Sequence, residues 1–233
     1  MNYPFTAVSA FYFIKNKHNN LYLEWFKNTL TINCPYVFFC DKNSIDIIKK
    51  YRTDIPTYYI ECNIEDFNTY KYKNRMITHP IHCPSIELNI IWNEKIFLIN
   101  KASKINPFNS YFFGWIDAGH CTYRDIKPPI ISFPNVDKLN KLPTDKFIFT
   151  SSDSHIYQPQ KINSYYHFIS GTYIIHINFI NFFTQIYDAY LNDRLDHNNI
   201  YTDQVILTLI YHENPFLFHH FAHGYGIIIP LLY

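Results

Sequence analysis

The chain has 233 residues, and its Lys+Arg count of 20 against an Asp+Glu count of 19 leaves a formal net charge of +1. That balance, without a long basic run, argues against a dedicated nucleic-acid binder. Hydrophobic residues make up 48% and aromatics 19%, enough apolar material for one large α/β domain spanning 1–233.

"FTAVSAFYF" (5–13) is rich in strand formers and has no helix cap, so it predicts a first strand. Tyr22, Trp25, Phe26 and Leu30 then recur at helical spacing. "CPYVFFCD" (34–41) is a continuous apolar run ending in an acid, the pattern of a central parallel strand buried on both faces. "NSIDIIKKY" (43–51) opens on cap-type residues and predicts a short helix. "TYYIEC" (57–62) predicts a third strand, which completes a β-α-β-α-β order. Residues 63–84 are polar with two prolines and read as a long loop of the kind that carries function.

"SIELNIIWNEKIFLINKAS" (85–103) has no Pro or Gly and is long enough for a buried helix. "YFFGWIDAGH" (111–120) follows: an apolar strand to Ile116, then Asp117, Ala118, Gly119 and His120. Residues 127–145 hold four prolines and read as irregular. "KFIFTSS" (146–152) predicts a strand, and "YYHFISGTYIIHI" (165–177) a strand pair or a strand broken at Gly171. Phe179, Phe182, Phe183, Ile186, Tyr187 and Tyr190 trace one face of a helix. "YTDQVILTLIYHE" (201–213) predicts another, begun by a Thr cap.

The tail "FLFHHFAHGYGIIIP" carries His219, His220 and His223. On a helix, spacings of three and four would bring pairs of these imidazoles together as metal ligands. The five cysteines are odd in number and lack CxxC spacing, which excludes a zinc ribbon or disulfide framework and fits a reducing compartment. No basic n-region opens the chain and no apolar run reaches membrane-spanning length, so a soluble cytoplasmic protein without a signal peptide is expected. Walker, GxGxxG, GxSxG and HExxH motifs are absent.

In an open α/β sheet, ligands gather outside the carboxyl ends of the strands. Asp41 and Asp117 end two such strands. Each can simply cap a turn, while both together suit a divalent cation or ribose hydroxyls. "SGTY" (170–173) marks either a close backbone approach or a plain turn. Asp203 is explained by the helix dipole alone, Gln204 less easily.

Taken together, "TAVSAFYF", "YLEWF", "VFFCD", "IIWNEKIFLINKASKINPFNSYFFGWIDAGHCTYRD", "SGTYIIH" and "YTDQVILTLIYHENPFLF" resemble the WlaTC/HtrL (YibB-type) family of glycosyltransferase-like proteins over most of the chain. The resemblance implies a GT-A fold, Rossmann-like and three-layered with a mostly parallel sheet. It also implies an enzyme moving a sugar from a nucleotide-sugar donor, UDP-linked, to a glycan, lipid-linked glycan or protein acceptor. It implies Mn²⁺ (or Mg²⁺) held by an Asp-x-Asp motif, which here matches Asp117-Ala118-Gly119, with Gly119 in place of the second acid. A histidine near the C-terminus would complete the metal site: His223, with His219 and His220 behind it, or else His120. Ser9, Ala10, Phe11 and Asp41 would form the nucleotide pocket, Lys95 would reach a phosphate, and Ser170 and Gly171 would line the donor sugar. Asp203 would serve as general base if the enzyme inverts, and Asp203 or Gln204 would orient the sugar if it retains. Two other classes fit the same residues: a non-catalytic glycan- or partner-binding protein on this fold, and a metal-dependent hydrolase using Asp117, Asp203 and the histidines.

Overall fold

The computed structural model describes residues 2–19, 21–152, 157–159, 162, 167–196, 200 and 202–233. The first half alternates strand and helix: β1 (Phe5–Phe11), α1 (Leu21–Thr29), β2 (Tyr36–Cys40), α2 (Ile45–Lys49) and β3 (Thr57–Glu61). After them come α3 (Ile86–Ile105), β4 (Phe112–Trp115), α4 (Val136–Leu139), β5 (Phe147–Ser151) and β6 (Ile169–His176). The chain closes with α5 (Ile177–Arg194), α6 (Asp203–Glu213), β7 (Phe218–His223) and α7 (Ile228–Leu231).

The seven described strands form one sheet in the order β3-β2-β1-β4-β6-β5-β7. Every neighbouring pair is parallel except those involving β6, which runs against both β4 and β5. The continuous apolar runs in the sequence follow from helices covering both faces of the sheet. On β2, Val37 and Phe39 join one core layer, while Tyr36, Phe38 and Cys40 join the other. The first layer packs against α3, α5 and α6 and the second against α1, α2, α4 and α7, which makes the three-layer α/β/α arrangement.

Helix α3 is the central pillar. Ser85 caps it by accepting from the Leu88 N–H, and Asn106 at φ 40° ends it in the left-handed conformation. Its buried face carries polar groups, most of them with partners, while Asn100 Oδ1 has none among the described residues. Asn93 Oδ1 accepts from the Tyr187 hydroxyl at 3.0 Å. Glu94 accepts from the backbone N–H groups of Asn68 and Thr69 at 3.0 and 2.8 Å.

Several local expectations change. Residues 63–84 are not a plain loop: they contain 3₁₀ turns at Ile64–Asp66 and Asn68–Arg75, pinned by Glu94 from below. The proline-rich 127–145 stretch includes the short α4. β6 runs through Gly171 as one strand, with a register irregularity against β5 at that point and β4 pairing only its later residues, Tyr173 to His176. Tyr165, Tyr166 and Tyr201, at the starts of two expected elements, lie outside the described residues. The "FHHFAH" run is a strand, not a helix, because it pairs with the open edge of β5. The three-and-four spacing of its histidines therefore has no helical meaning; an irregularity in the β5–β7 register instead brings the His220 and His223 rings together, their centroids 4.8 Å apart. All five cysteines are free thiols, and no described helix is long and apolar enough to cross a membrane.

Candidate active site

The sheet reverses its direction of growth between β1 and β4: the chain winds outward through β2 and β3, then returns to β1's other edge. A crevice opens outside the carboxyl ends at such a point. Here it holds two adjoining cavities, which share Tyr22, Trp92, Lys95 and Asp117. The first is mostly apolar, walled by Phe11, Tyr12, Ile14, Trp92 and Trp115. The second is polar, walled by Lys17, His18, Arg124, His167, Gln204 and Tyr225. One end of the cleft thus suits a flat ring and the other an anion.

Asp117 stands two residues past the end of β4 at the junction of the two halves. Its Oδ1 accepts from the Trp115 indole N–H at 2.7 Å and lies 3.5 Å from the Lys95 ammonium. On the other side, Lys95 lies 3.6 Å from Asp203 Oδ2. The Lys95 side chain is 4% exposed, Asp203 1% and Asp117 35%. One buried cation therefore bridges one buried carboxylate and one that reaches the cleft. Burial alone would lower the Lys95 pKa, but Asp117 and Asp203 outweigh it and raise it, so Lys95 stays charged. Burial alone would raise the Asp117 pKa, but Lys95 and then the Trp115 N–H hold it below the ordinary carboxylate value. Asp203 goes the other way: burial raises its pKa, Asp117's charge adds to this, and Lys95 only partly opposes it.

The expected residues fall into distinct places. Ala10, Phe11, Lys95, Asp117 and Gln204 line the cleft. Gly171 forms its floor: a Cβ there would stand 3.0 Å from the Tyr225 hydroxyl, 3.6 Å from Lys95 Nζ and 3.7 Å from Gln204. Gln204 is steadied by donating to the Ile169 carbonyl at 2.9 Å. Asp203 lies beneath the cleft, not in its wall, and is held by the Tyr173 and Thr202 hydroxyls at 3.3 and 3.0 Å. A fully buried carboxylate so placed positions Lys95 and has no open path to an acceptor hydroxyl. Ser9 is buried in β1. Ser170 Oγ is 3.0 Å from the Thr150 hydroxyl and does not line the cleft. Asp41 accepts from the Ser44 N–H and hydroxyl at 2.8 and 2.7 Å, capping the turn into α2 away from both cavities.

A divalent ion at Asp117 would need further oxygen or nitrogen ligands. Gly119 has no room for a second acid, since a Cβ would lie 2.7 Å from the Trp25 ring and 2.8 Å from the Tyr22 ring. His223 is at the end of β7, its Nδ1 2.8 Å from the Ser151 hydroxyl, and is not part of the cleft wall; neither are His219 and His220. His120 is 1% exposed, and burial lowers its pKa to about 4. It packs under Gly226, 3.2 Å from where a Cβ would be. Among the described residues, no group of three His, Cys, Asp or Glu side chains could hold a metal. The donor set here does not fit a Mn²⁺ or Mg²⁺ site of the expected kind.

What the sequence did not mark as site residues are Lys17, Tyr22, Trp92, Trp115, Arg124 and Tyr225. All of these except Lys17 sat inside segments noted for other reasons, Tyr22 on a helix face and Trp92, Trp115 and Arg124 in the long quoted block, and Lys17 carried no local signal. Arg124 lies 3.8 Å above the Trp25 ring and donates to the Gly119 carbonyl at 3.1 Å.

Residues 57–227 match the model of the HtrL_YibB family, described as a bacterial protein of unknown function. No curated protein matches the sequence. Among solved structures, the apo form of mouse xyloside xylosyltransferase 1 is similar with a TM-score of 0.56 at 14% identity, covering 93% of this chain and 84% of that one. A 4-diphosphocytidyl-2C-methyl-D-erythritol synthase from Anaerococcus prevotii aligns with a TM-score of 0.45 at 12% identity, over 95% and 88% of the two chains. The fold is of the GT-A-like type.

Proposed function

We propose that this chain, which belongs to the HtrL_YibB family and has a GT-A-like fold, transfers a sugar from a nucleotide-sugar donor to a glycan, lipid-linked glycan or protein hydroxyl. The observation that carries the reading is the divided cleft at the sheet's switch point, apolar and aromatic at one end and cationic at the other, with Asp117 between them. A nucleoside diphosphate has the same division. Its base would stack in the half walled by Phe11, Tyr12 and Trp92, and its diphosphate would lie toward Lys17 and Arg124. Asp117, ionised and part-exposed, is placed to accept from ribose hydroxyls. The donor sugar would rest in the polar half, within reach of Gln204 and the Tyr225 hydroxyl, which pack over Gly171.

In the transfer, the acceptor oxygen bonds to the anomeric carbon as that carbon's bond to the terminal phosphate oxygen breaks. The electron pair leaves with the diphosphate, and the acceptor's proton ends on the departing phosphate or on water. The protein's contribution to the barrier is fixed positive charge aimed at the oxygen where negative charge grows, together with a held geometry. Lys95 adds to that charge and is itself fixed by Asp203 from below.

The test is a panel of nucleotide-sugars screened by thermal shift, followed by turnover with and without acceptor. Transfer requires acceptor; release of free sugar without acceptor marks a hydrolase; nucleotide binding with neither reaction marks a binding protein. Asp117→Ala should abolish the nucleotide-dependent shift and leave the apo fold intact. Wild-type protein that binds no nucleotide-sugar in the panel would remove the reading.

A further inference from the structure

The polar half of the cleft gathers three basic side chains, Lys17, Lys95 and Arg124, of which Lys17 has its pKa lowered by desolvation. Lys95 is buried and ion-paired, as described above. Lys17 lies 5.5 Å above the Trp92 ring, and no described carboxylate pairs with it. Arg124 spends its Nε on the Gly119 carbonyl, and its two terminal nitrogens make no hydrogen bond among the described residues. His18, His82 and His167 line the same half, and burial lowers the His18 pKa to about 4. Counting Lys17, Lys95 and Arg124 against Asp117 and Asp203, three positive charges less two negative leave +1. A divalent ion held by two carboxylates would leave zero. The cleft therefore offers net positive charge to a diphosphate before any ion is added.

Two further features agree. Gly119, the place of the second acid, is closed by the Tyr22 and Trp25 rings, and the same Trp25 ring carries the Arg124 guanidinium. The closed position at Gly119 and the fixed Arg124 guanidinium thus share one ring. Lys95 Nζ lies between Asp117 and Asp203, where a cation shared by two carboxylates would belong.

We infer that the diphosphate of the donor is neutralised by Lys17, Arg124 and Lys95, with no divalent ion required. This rests on the nucleotide-sugar reading of the cleft. Lys17 and Arg124 contact the phosphate oxygens from the open side, Arg124 through its terminal N–H groups. Lys95 keeps Asp117 in place and presents positive charge from the floor.

The experiment is calorimetric titration of the EDTA-treated protein with UDP, CDP, GDP, ADP and dTDP and with the parent nucleosides, repeated with Mn²⁺ and with Mg²⁺. The best diphosphate should bind in EDTA with an affinity within about threefold of that with either ion, and more tightly than its nucleoside. Lys17→Glu and Arg124→Gln should each weaken the diphosphate about tenfold or more and change nucleoside binding little. Lys17 is exposed, so its variant is expected to fold as the wild type; an unchanged melting temperature confirms that. Diphosphate binding seen only with a divalent ion would overturn the inference and leave the nucleotide-sugar reading standing. Wild-type affinity in both variants would overturn it as well. No diphosphate binding under any condition would overturn both.

Discussion

Replacing Lys95 with methionine keeps the length of the side chain and removes the ammonium that lies 3.6 Å from Asp203 and 3.5 Å from Asp117. Asp203 has no solvent exposure, so its charge is left without compensation. Breaking a buried pair in this way costs about 3–5 kcal/mol. Asp117 adds little to that figure, because water already reaches its side chain. In urea, the midpoint of unfolding should fall by about 1–2 M with the slope unchanged. The double variant Lys95→Met/Asp203→Asn removes both buried charges, and most of the loss should return. The pH dependence has a fixed sign. Burial raises the folded-state pKa of Asp203 above its unfolded value, so its contribution is fully present below the unfolded pKa and is lost as pH rises through the folded one. The Lys95→Met defect should therefore be largest near neutral pH and shrink on acidification. A single variant with the wild-type midpoint, or a double variant no better than the single one, would refute the claim that Lys95 compensates Asp203.

Gly119→Asp rebuilds the two-acid motif on paper, yet its Cβ would meet the Tyr22 and Trp25 rings at under 3 Å. It should lose about 1–3 kcal/mol of stability and gain no Mn²⁺-dependent thermal shift. His120, neutral and buried with neither ring nitrogen hydrogen-bonded, should make the fold acid-sensitive. Its folded pKa of about 4 lies below the unfolded value, so up to about 3 kcal/mol is present above about pH 6.5 and lost as pH falls toward the folded pKa. His120→Phe should flatten that limb in urea midpoints measured against pH. Arg52 is 3% exposed, stacks on Tyr36 at 4.0 Å and donates to the Leu30 and Cys34 carbonyls at 2.8 and 2.7 Å. Lysine keeps the charge but cannot span these acceptors, so Arg52→Lys should cost about 2–4 kcal/mol in chemical denaturation.

The strands and helices that could be read from the chain are those whose own pattern decides them. β2 is apolar at every position because both of its faces are covered, and α3 is long, unbroken and capped at Ser85. The "HHFAH" segment was left without an assigned element because nothing local separates a helical spacing of histidines from an edge strand. The open edge of β5, far away in sequence, decided it. The long 63–84 segment was misjudged for a similar reason, since its turns are fixed by Glu94 on another element.

The same division holds at the site. The sequence alone determined that an apolar strand ends in Asp117 and that the chain alternates as an α/β sheet must. These are statements about neighbours along the chain, which side-chain chemistry and periodicity settle. Only the tertiary structure decided that Lys95 joins Asp117 to Asp203, that Asp203 is buried beneath the cleft, and that Lys17 and Arg124 face one volume from separate loops. Charges some tens of residues apart gain meaning only when the fold fixes their separation, because Coulomb energy depends on distance and on how much water remains between them.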